Sequence, residues 1–149
     1  MNDKAHVSIA LESEIDGEEQ RTAVEGEWYR KGGAFFLKYA ETEGGSEVRT
    51  IVRWRDGELS ITRRGAVESE QLFTTGVRRS GRYESRHAAF SLETDTSLLQ
   101  VRFGDGLNVG PGEERREPEL PLLLEWHYGL LVGGEPIGNF KIRLRAEEN

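Results

Sequence analysis

The chain contains no cysteine. Disulfides, thiolate nucleophiles and cysteine metal ligands are excluded, and a small disulfide-stapled secreted scaffold with them. A reducing cytoplasm fits this composition and is the expected location. Proline is scarce, at 4 residues, with Pro118 and Pro121 falling close together. Long apolar runs are missing too. The longest, "LPLLLEW" and "LLVGG", are strand-sized and fall far short of the roughly 20 residues of a membrane-spanning helix. The opening stretch, "MNDKAHVSIALESE", has neither the basic segment nor the apolar core of a secretory leader. Positive charge is in deficit: 20 Lys and Arg stand against 27 Asp and Glu, for a formal net charge of −7. Phosphate binding is dominated by positive charge, so nucleic acid is a poor partner for this chain. Neither nucleic acid nor membrane is expected as a partner.

What the sequence has in abundance is glycine, at 18 residues, and alternation. "HVSIALESEI" puts Val7, Ile9 and Leu11 on one face and Ser8, Ala10 and Glu12 on the other, the signature of a half-buried strand. The same pattern returns in "TAVEGEWYR", "AFFLKYAET", "EVRTIVRWR", "ELSITRRG", "SEQLFTT", "GRYES", "AAFSLET", "LLQVRF", "LLLEWHYGLLV" and "IGNFKIRLR". About ten or eleven short strands at this spacing indicate an antiparallel sandwich or barrel. At 149 residues the chain is read as one domain, 1–149. A chain of this length buries about 70% of its unfolded surface and needs no staples. Residues 104–121, "GDGLNVGPGEERREPELP", are rich in Gly, Pro and charge and read as an exposed loop.

Turn lengths fix which side chains share a face. A two-residue turn at Gly32-Gly33 sets Trp28 opposite Leu37 and Gly26 opposite Tyr39. A four-residue loop at Glu43 to Ser46 sets Leu37 opposite Val52 and Tyr39 opposite Thr50. A two-residue turn at Asp56-Gly57 sets Val52 opposite Ile61 and Thr50 opposite Arg63. The inward rows are then Arg30, Phe35, Trp54 and Leu59; Trp28, Leu37, Val52 and Ile61; and Gly26, Tyr39, Thr50 and Arg63. The outward positions pair Glu27 with Lys38 and Arg55 with Glu58, sensible exposed partners. Tyr29 and Phe36 fall on the outside.

Three stretches, "GEWYRKGGAFFLKYAETEG", "LSITRRGAVESEQLF" and "GRYESRHAAFSLETDTSLLQV", resemble the YwiB-like bacterial proteins, a domain of unknown function. Arg63, Gly65, Ser69 and Phe73 sit where that family has its arginine, glycine, serine and phenylalanine. After Tyr83 the family has a turn of the Thr-Pro-Tyr-Gly kind, whereas this chain has Ser85, Arg86, His87 and Ala88. The resemblance implies an all-β fold, a single antiparallel calycin or lipocalin-like barrel of about 8–10 strands. It implies no established activity, cofactor or substrate.

Arg63 is the most informative residue. A guanidinium on an inner face needs a partner, because an unpaired interior charge is costly. One reading is an anion pocket, with Arg63 as a bidentate clamp and Tyr39 and Thr50 as hydroxyl donors to a carboxylate or phosphate. The other is an internal ion pair with Glu41, on the same face, or a side chain reaching to the barrel mouth. Trp28 lines the adjoining row. The basic island Arg78, Arg79, Arg82 and Arg86 reads as a solvated face paired with acids such as Glu68 and Glu70. His6, His87 and His127 lack metal-ligand spacing. No nucleophile elbow occurs, and "GDGLNVG" has the wrong spacing for a dinucleotide fingerprint. No catalytic residue, metal site or cofactor is assigned, and the oligomeric state stays open. The expected function is non-enzymatic binding of a small amphipathic or anionic ligand inside the barrel. The alternative is a structural or protein-interaction module with a filled core.

Overall fold

The protein is described here by a computed structural model covering residues 3–104 and 117–149. Ten strands run in chain order: β1 Lys4–Ile15, β2 Glu18–Lys31, β3 Ala34–Glu43, β4 Ser46–Arg55, β5 Glu58–Gly65, β6 Val67–Thr74, β7 Arg78–Ser85, β8 Ala89–Phe103, β9 Leu122–Val132 and β10 Glu135–Glu148. Each pairs antiparallel with its sequence neighbours, and β1 pairs with β10 to close a single barrel.

The tight hairpins follow from their turn residues. A two-residue turn that matches strand twist needs positive φ at both positions. Asp16-Gly17, Gly32-Gly33, Gly44-Gly45, Asp56-Gly57 and Gly133-Gly134 all have it. The Gly44-Gly45 turn is flanked by the pair Glu43 and Ser46, so the connection is two residues rather than four. That leaves the register unchanged. Every pairing expected across β2 to β5 is present: Trp28 with Leu37, Tyr39 with Thr50, Thr50 with Arg63 and the rest of the three rows. The candidates "AAFSLET" and "LLQVRF" are one strand, β8, bent by a bulge between Thr96 and Leu98.

The barrel has two unlike ends. At one, Phe35, Trp54, Leu59, Phe73, Phe103 and Leu122 fill the interior and are buried. Trp54 and Phe103 meet edge-on at 5.8 Å between centroids, and Phe35 and Phe103 at 6.0 Å. These contacts cross the barrel, because β8 neighbours neither β3 nor β4. The chain just before β9 seals this end. Pro118 is buried, Leu120 packs on the core, and the Arg30 Nη1 donates to the Pro118 carbonyl at 2.8 Å. The expected exposed loop 104–121 is thus corrected at residues 118–120, where apolar Pro118 and Leu120 cap an apolar floor. Residues 105–116, including Arg115 and Arg116, lie outside the described residues.

At Gly26 and Gly81, as at Gly65, a neighbouring backbone comes too close for a side chain. A Cβ at Gly26 would stand 2.5 Å from the Lys38 carbonyl oxygen, and one at Gly81 2.2 Å from that of Glu70. Glycine lets neighbouring backbones approach this closely. Gly26 therefore opens no space beside Tyr39, since the adjacent strand occupies it. Beyond Gly26 the β2–β3 ladder stops. Glu18–Glu25 of β2 pair only with β1, and residues 40–43 of β3 pair only with β4.

Candidate functional site

At the other end the inner wall stays accessible. Along β1 the inward residues run from buried Val7 and Ile9 to half-buried Leu11, Ser13 and Ile15. On β10 they run from buried Ala146 and Leu144 to half-buried Ile142 and Phe140, and on β5 from buried Leu59 to half-buried Ile61 and Arg63. Phe90 faces inward, opposite Tyr83 and stacked on it at 4.9 Å, yet is 40% exposed. These inward side chains keep accessible surface at the end where residues 18–23 of β2 are exposed on both faces. The inner wall has the outline of a cup, floored by aromatics and less tightly packed at the end of the Gly44-Gly45 and Gly133-Gly134 turns.

The cup is pinched across its middle. Tyr128 on β9 meets Phe73 on β6 at 4.7 Å and is hydrogen-bonded to Gln71 of the same strand. Trp126 lies 6.0 Å from Phe73. Burial pushes the Tyr128 phenol up to about 12, and the Gln71 bond pulls it back only in part. Gln71 sits at an inner position of the alternating run Val67, Ser69, Gln71, Phe73. A polar residue there was a legible sign of a contact inside the barrel; its partner, three strands away, was not.

The sequence-nominated residues stand on one side of this pinch. Tyr39, Thr50 and Arg63 form one cross-strand row, continued by Ser69, Tyr83 and Phe90. Glu41 follows Tyr39 on the same face, and Trp28 lies in the adjacent row. Thr50 is 2% exposed, Trp28 is buried, and Tyr39, Glu41 and Arg63 are half-buried. Tyr39 feels the charges of both Glu41 and Arg63. Burial above all, and then the Glu41 carboxylate, push the Tyr39 phenol above its ordinary value, while Arg63 pulls it down. The structure brings all five nominated residues to the inner wall.

Among the described residues, four buried side-chain polar atoms have no hydrogen-bond partner: Trp28 Nε1, Thr50 Oγ1, Thr96 Oγ1 and Trp126 Nε1. Thr94, also buried, is satisfied, because its Oγ1 donates to the Leu72 carbonyl. Thr96 escaped the sequence reading because the bulge beside it breaks the alternation of β8.

The outer wall carries paired charges. Burial pushes the Glu125 carboxyl up, but hydrogen bonds from Arg143 and His127 and their charges outweigh it and hold it below its ordinary value. These residues border a surface groove of about 330 Å³. In the basic island, Arg78 pairs with Asp95 at 3.6 Å and Arg79 with Glu58 at 2.9 Å. Glu68 pairs instead with Arg64 at 3.7 Å, and Glu70 stands opposite Arg82. Tyr29 and Phe36 stack outside at 4.6 Å, as their register required.

Comparison with known proteins places this cup in context. The family model described as Domain of unknown function (DUF1934) matches residues 6–144. An uncharacterized beta-barrel protein, YwiB of Bacillus subtilis (strain 168), is 30% identical over 95 residues, covering 64% of this chain and 67% of that protein. The crystal structure of the ywiB protein from Bacillus subtilis superposes with a TM-score of 0.81 at 24% identity, covering all of this chain and 95% of that one.

Proposed function

The chain belongs to the DUF1934 family, and we propose that it holds one small amphipathic or anionic ligand inside its barrel without transforming it. The observation that carries this reading is the contrast between the two ends of the interior. The floor is packed with aromatics, whereas Leu11, Ile61, Phe140 and Ile142 nearer the mouth keep accessible surface beside Tyr39, Thr50 and Arg63. Small barrels of the calycin kind hold a single ligand in this way. The apolar part would lie against the half-buried aliphatics. The anionic head would meet the Arg63 guanidinium and the Tyr39 hydroxyl, with Thr50, whose hydroxyl is covered, and Trp28 behind them and Glu41 limiting net negative charge at the mouth. The acidic balance of the chain keeps nucleic acid out of this reading, and the lack of cysteine suits a cytoplasmic carrier.

The test uses the protein's own reporters, since Trp28, Trp54 and Trp126 all face inward. Titration with decanoate and with 1-decanol should change tryptophan fluorescence saturably. Arg63→Met should weaken decanoate about tenfold or more, a loss of about 1.4 kcal/mol, and leave 1-decanol unchanged. Absence of a saturable response to either would favour a filled core and an interaction surface such as the Tyr29–Phe36 stack. An equal loss of both ligands would mean that Arg63 shapes the wall and does not clamp a head group.

A further inference from the structure

Independently of any ligand inside the barrel, we infer that the open edge of β2 docks an extended basic segment of a partner protein, which joins the wall as a further strand. Glu18–Glu25 of β2 pair with β1 on one side, and β3 takes up the other side only from Gly26 onward. Among the described residues, no other backbone hydrogen bond reaches Glu18–Glu25. In a ladder, the N–H and C=O groups of alternate residues turn to opposite sides of the strand. This stretch therefore presents a row of unmet donors and acceptors, about 26 Å long. Glu18 to Ala23 are exposed on both faces, so the row faces solvent.

A second lapse in the same barrel is closed, which shows the difference. Gln71–Thr74 of β6 have no partner on β7. There β8 leans across. Thr94 Oγ1 donates to the Leu72 carbonyl, the Gly76 N–H donates to the Thr96 carbonyl, and Phe73 is buried. Among the described residues, nothing does this for Glu18–Glu25.

Charge selects the occupant. Charged edges turn most strands away. Along this one Glu18, Glu19 and Glu25 stand against Arg21, and Glu41 lies on the facing stretch of β3. A second copy of the same edge would set acid against acid. A strand carrying Lys or Arg would meet opposite charge across the new ladder. Glu18 and Glu19 have no ion-pair partner among the described residues. Strand addition draws its affinity from the backbone and its selectivity from alternate side chains. Half-buried Leu11, Ile15 and Val24 lie on the inner side of the β1–β2 hairpin. The fitting segment thus alternates basic with apolar residues and turns its apolar side inward.

Three end-blocked peptides test this. KVKVKVK is the fitting strand. The same peptide N-methylated throughout keeps the charge and loses every backbone donor. EVEVEVE keeps the backbone and reverses the charge. Fluorescence anisotropy at physiological salt should show KVKVKVK binding saturably, about tenfold or more tightly than either control. Its binding should slow hydrogen exchange in Glu18–Glu25 and leave β5 and β9 unchanged. Glu18→Lys combined with Glu19→Lys, at two exposed positions, should abolish its advantage over EVEVEVE. Equal binding of the N-methylated peptide would reduce the attraction to charge and overturn the inference. Protection elsewhere on the barrel, or no saturable binding, would overturn it too. So would slowed exchange of Glu18–Glu25 that grows with protein concentration in the absence of peptide, which would give the edge to a second copy.

Discussion

Thr50→Val should make the ligand-free protein more stable. Thr50 is 2% exposed and its Oγ1 has no partner. Leaving a buried polar group unsatisfied costs about 1–3 kcal/mol. Valine keeps the β-branch and nearly the shape, so it removes that cost while preserving strand preference and packing. A gain of about 1–2 kcal/mol is expected. In a domain of this size each kcal/mol moves Tm by about 2–4 °C, so the midpoint should rise by about 2–8 °C. Urea unfolding measures the same quantity, and its slope should not change, since the surface exposed on unfolding is the same. Thr96→Val should behave alike. Thr94 supplies the control, because it is just as buried but donates to the Leu72 carbonyl. Thr94→Val should lose about 1 kcal/mol. The three substitutions are chemically identical, so opposite signs isolate hydrogen-bond status. Thr50→Val destabilising the protein as Thr94→Val does would refute the assignment of Thr50 as an unmet donor.

Other outcomes follow from the wall and its ionisable groups. Gly81→Ala, with its new Cβ 2.2 Å from the Glu70 carbonyl oxygen, should cost about 3 kcal/mol or more in urea unfolding; a neutral effect would mean the neighbouring backbone does not come this close. Tyr128 has a folded-state pKa of about 12 against an ordinary 10.0, so the native state holds that proton longer than the unfolded chain. Its contribution is fully present below pH 10 and is lost as pH rises towards 12. Stability should fall across that window, and less so in Tyr128→Phe. Arg79 and Glu58, at 2.9 Å and partly exposed, should show a coupling of about 0.5–1 kcal/mol in a double-mutant cycle; zero coupling would make the pair incidental.

The registers of β2 to β5 were legible because glycine-containing two-residue turns leave little freedom. Gly32-Gly33 and Asp56-Gly57 each dictate one pairing, and each pairing places every later side chain of the hairpin. The inward Arg63 was therefore readable, as was the outward stack of Tyr29 on Phe36. What lay beyond reading was contact between strands that no turn connects. Gln71 meets Tyr128 because β6 and β9 face each other across the cup, a consequence of barrel cross-section and not of local pattern. The bulge beside Ser97 was hidden for a related reason. It inserts one residue into an alternating run, and alternation read on either side of it suggests two strands. The burial of Pro118 depends on its meeting with Arg30, a residue far back in the chain.

Closure also bears on the backbone edges that the sheet would otherwise expose. A sheet edge offers unpaired backbone groups on which another strand can grow into an aggregate. Here β1 and β10 satisfy each other from Val7 to Ile15, so the outermost strands of the meander present no such template. The lapse between β2 and β3 does leave Glu18–Glu25 with one unsatisfied side. That stretch carries Glu18, Glu19, Arg21 and Glu25 and no aromatic residue, the kind of charged edge that deters strand addition. The aromatics of β2 and β3 all fall on the paired part of that hairpin, between Gly26 and Tyr39. Opening the β1–β10 seam would free two new edges and uncover the aromatic interior in one event. Removing β10 should therefore convert a closed barrel into a strongly self-associating sheet.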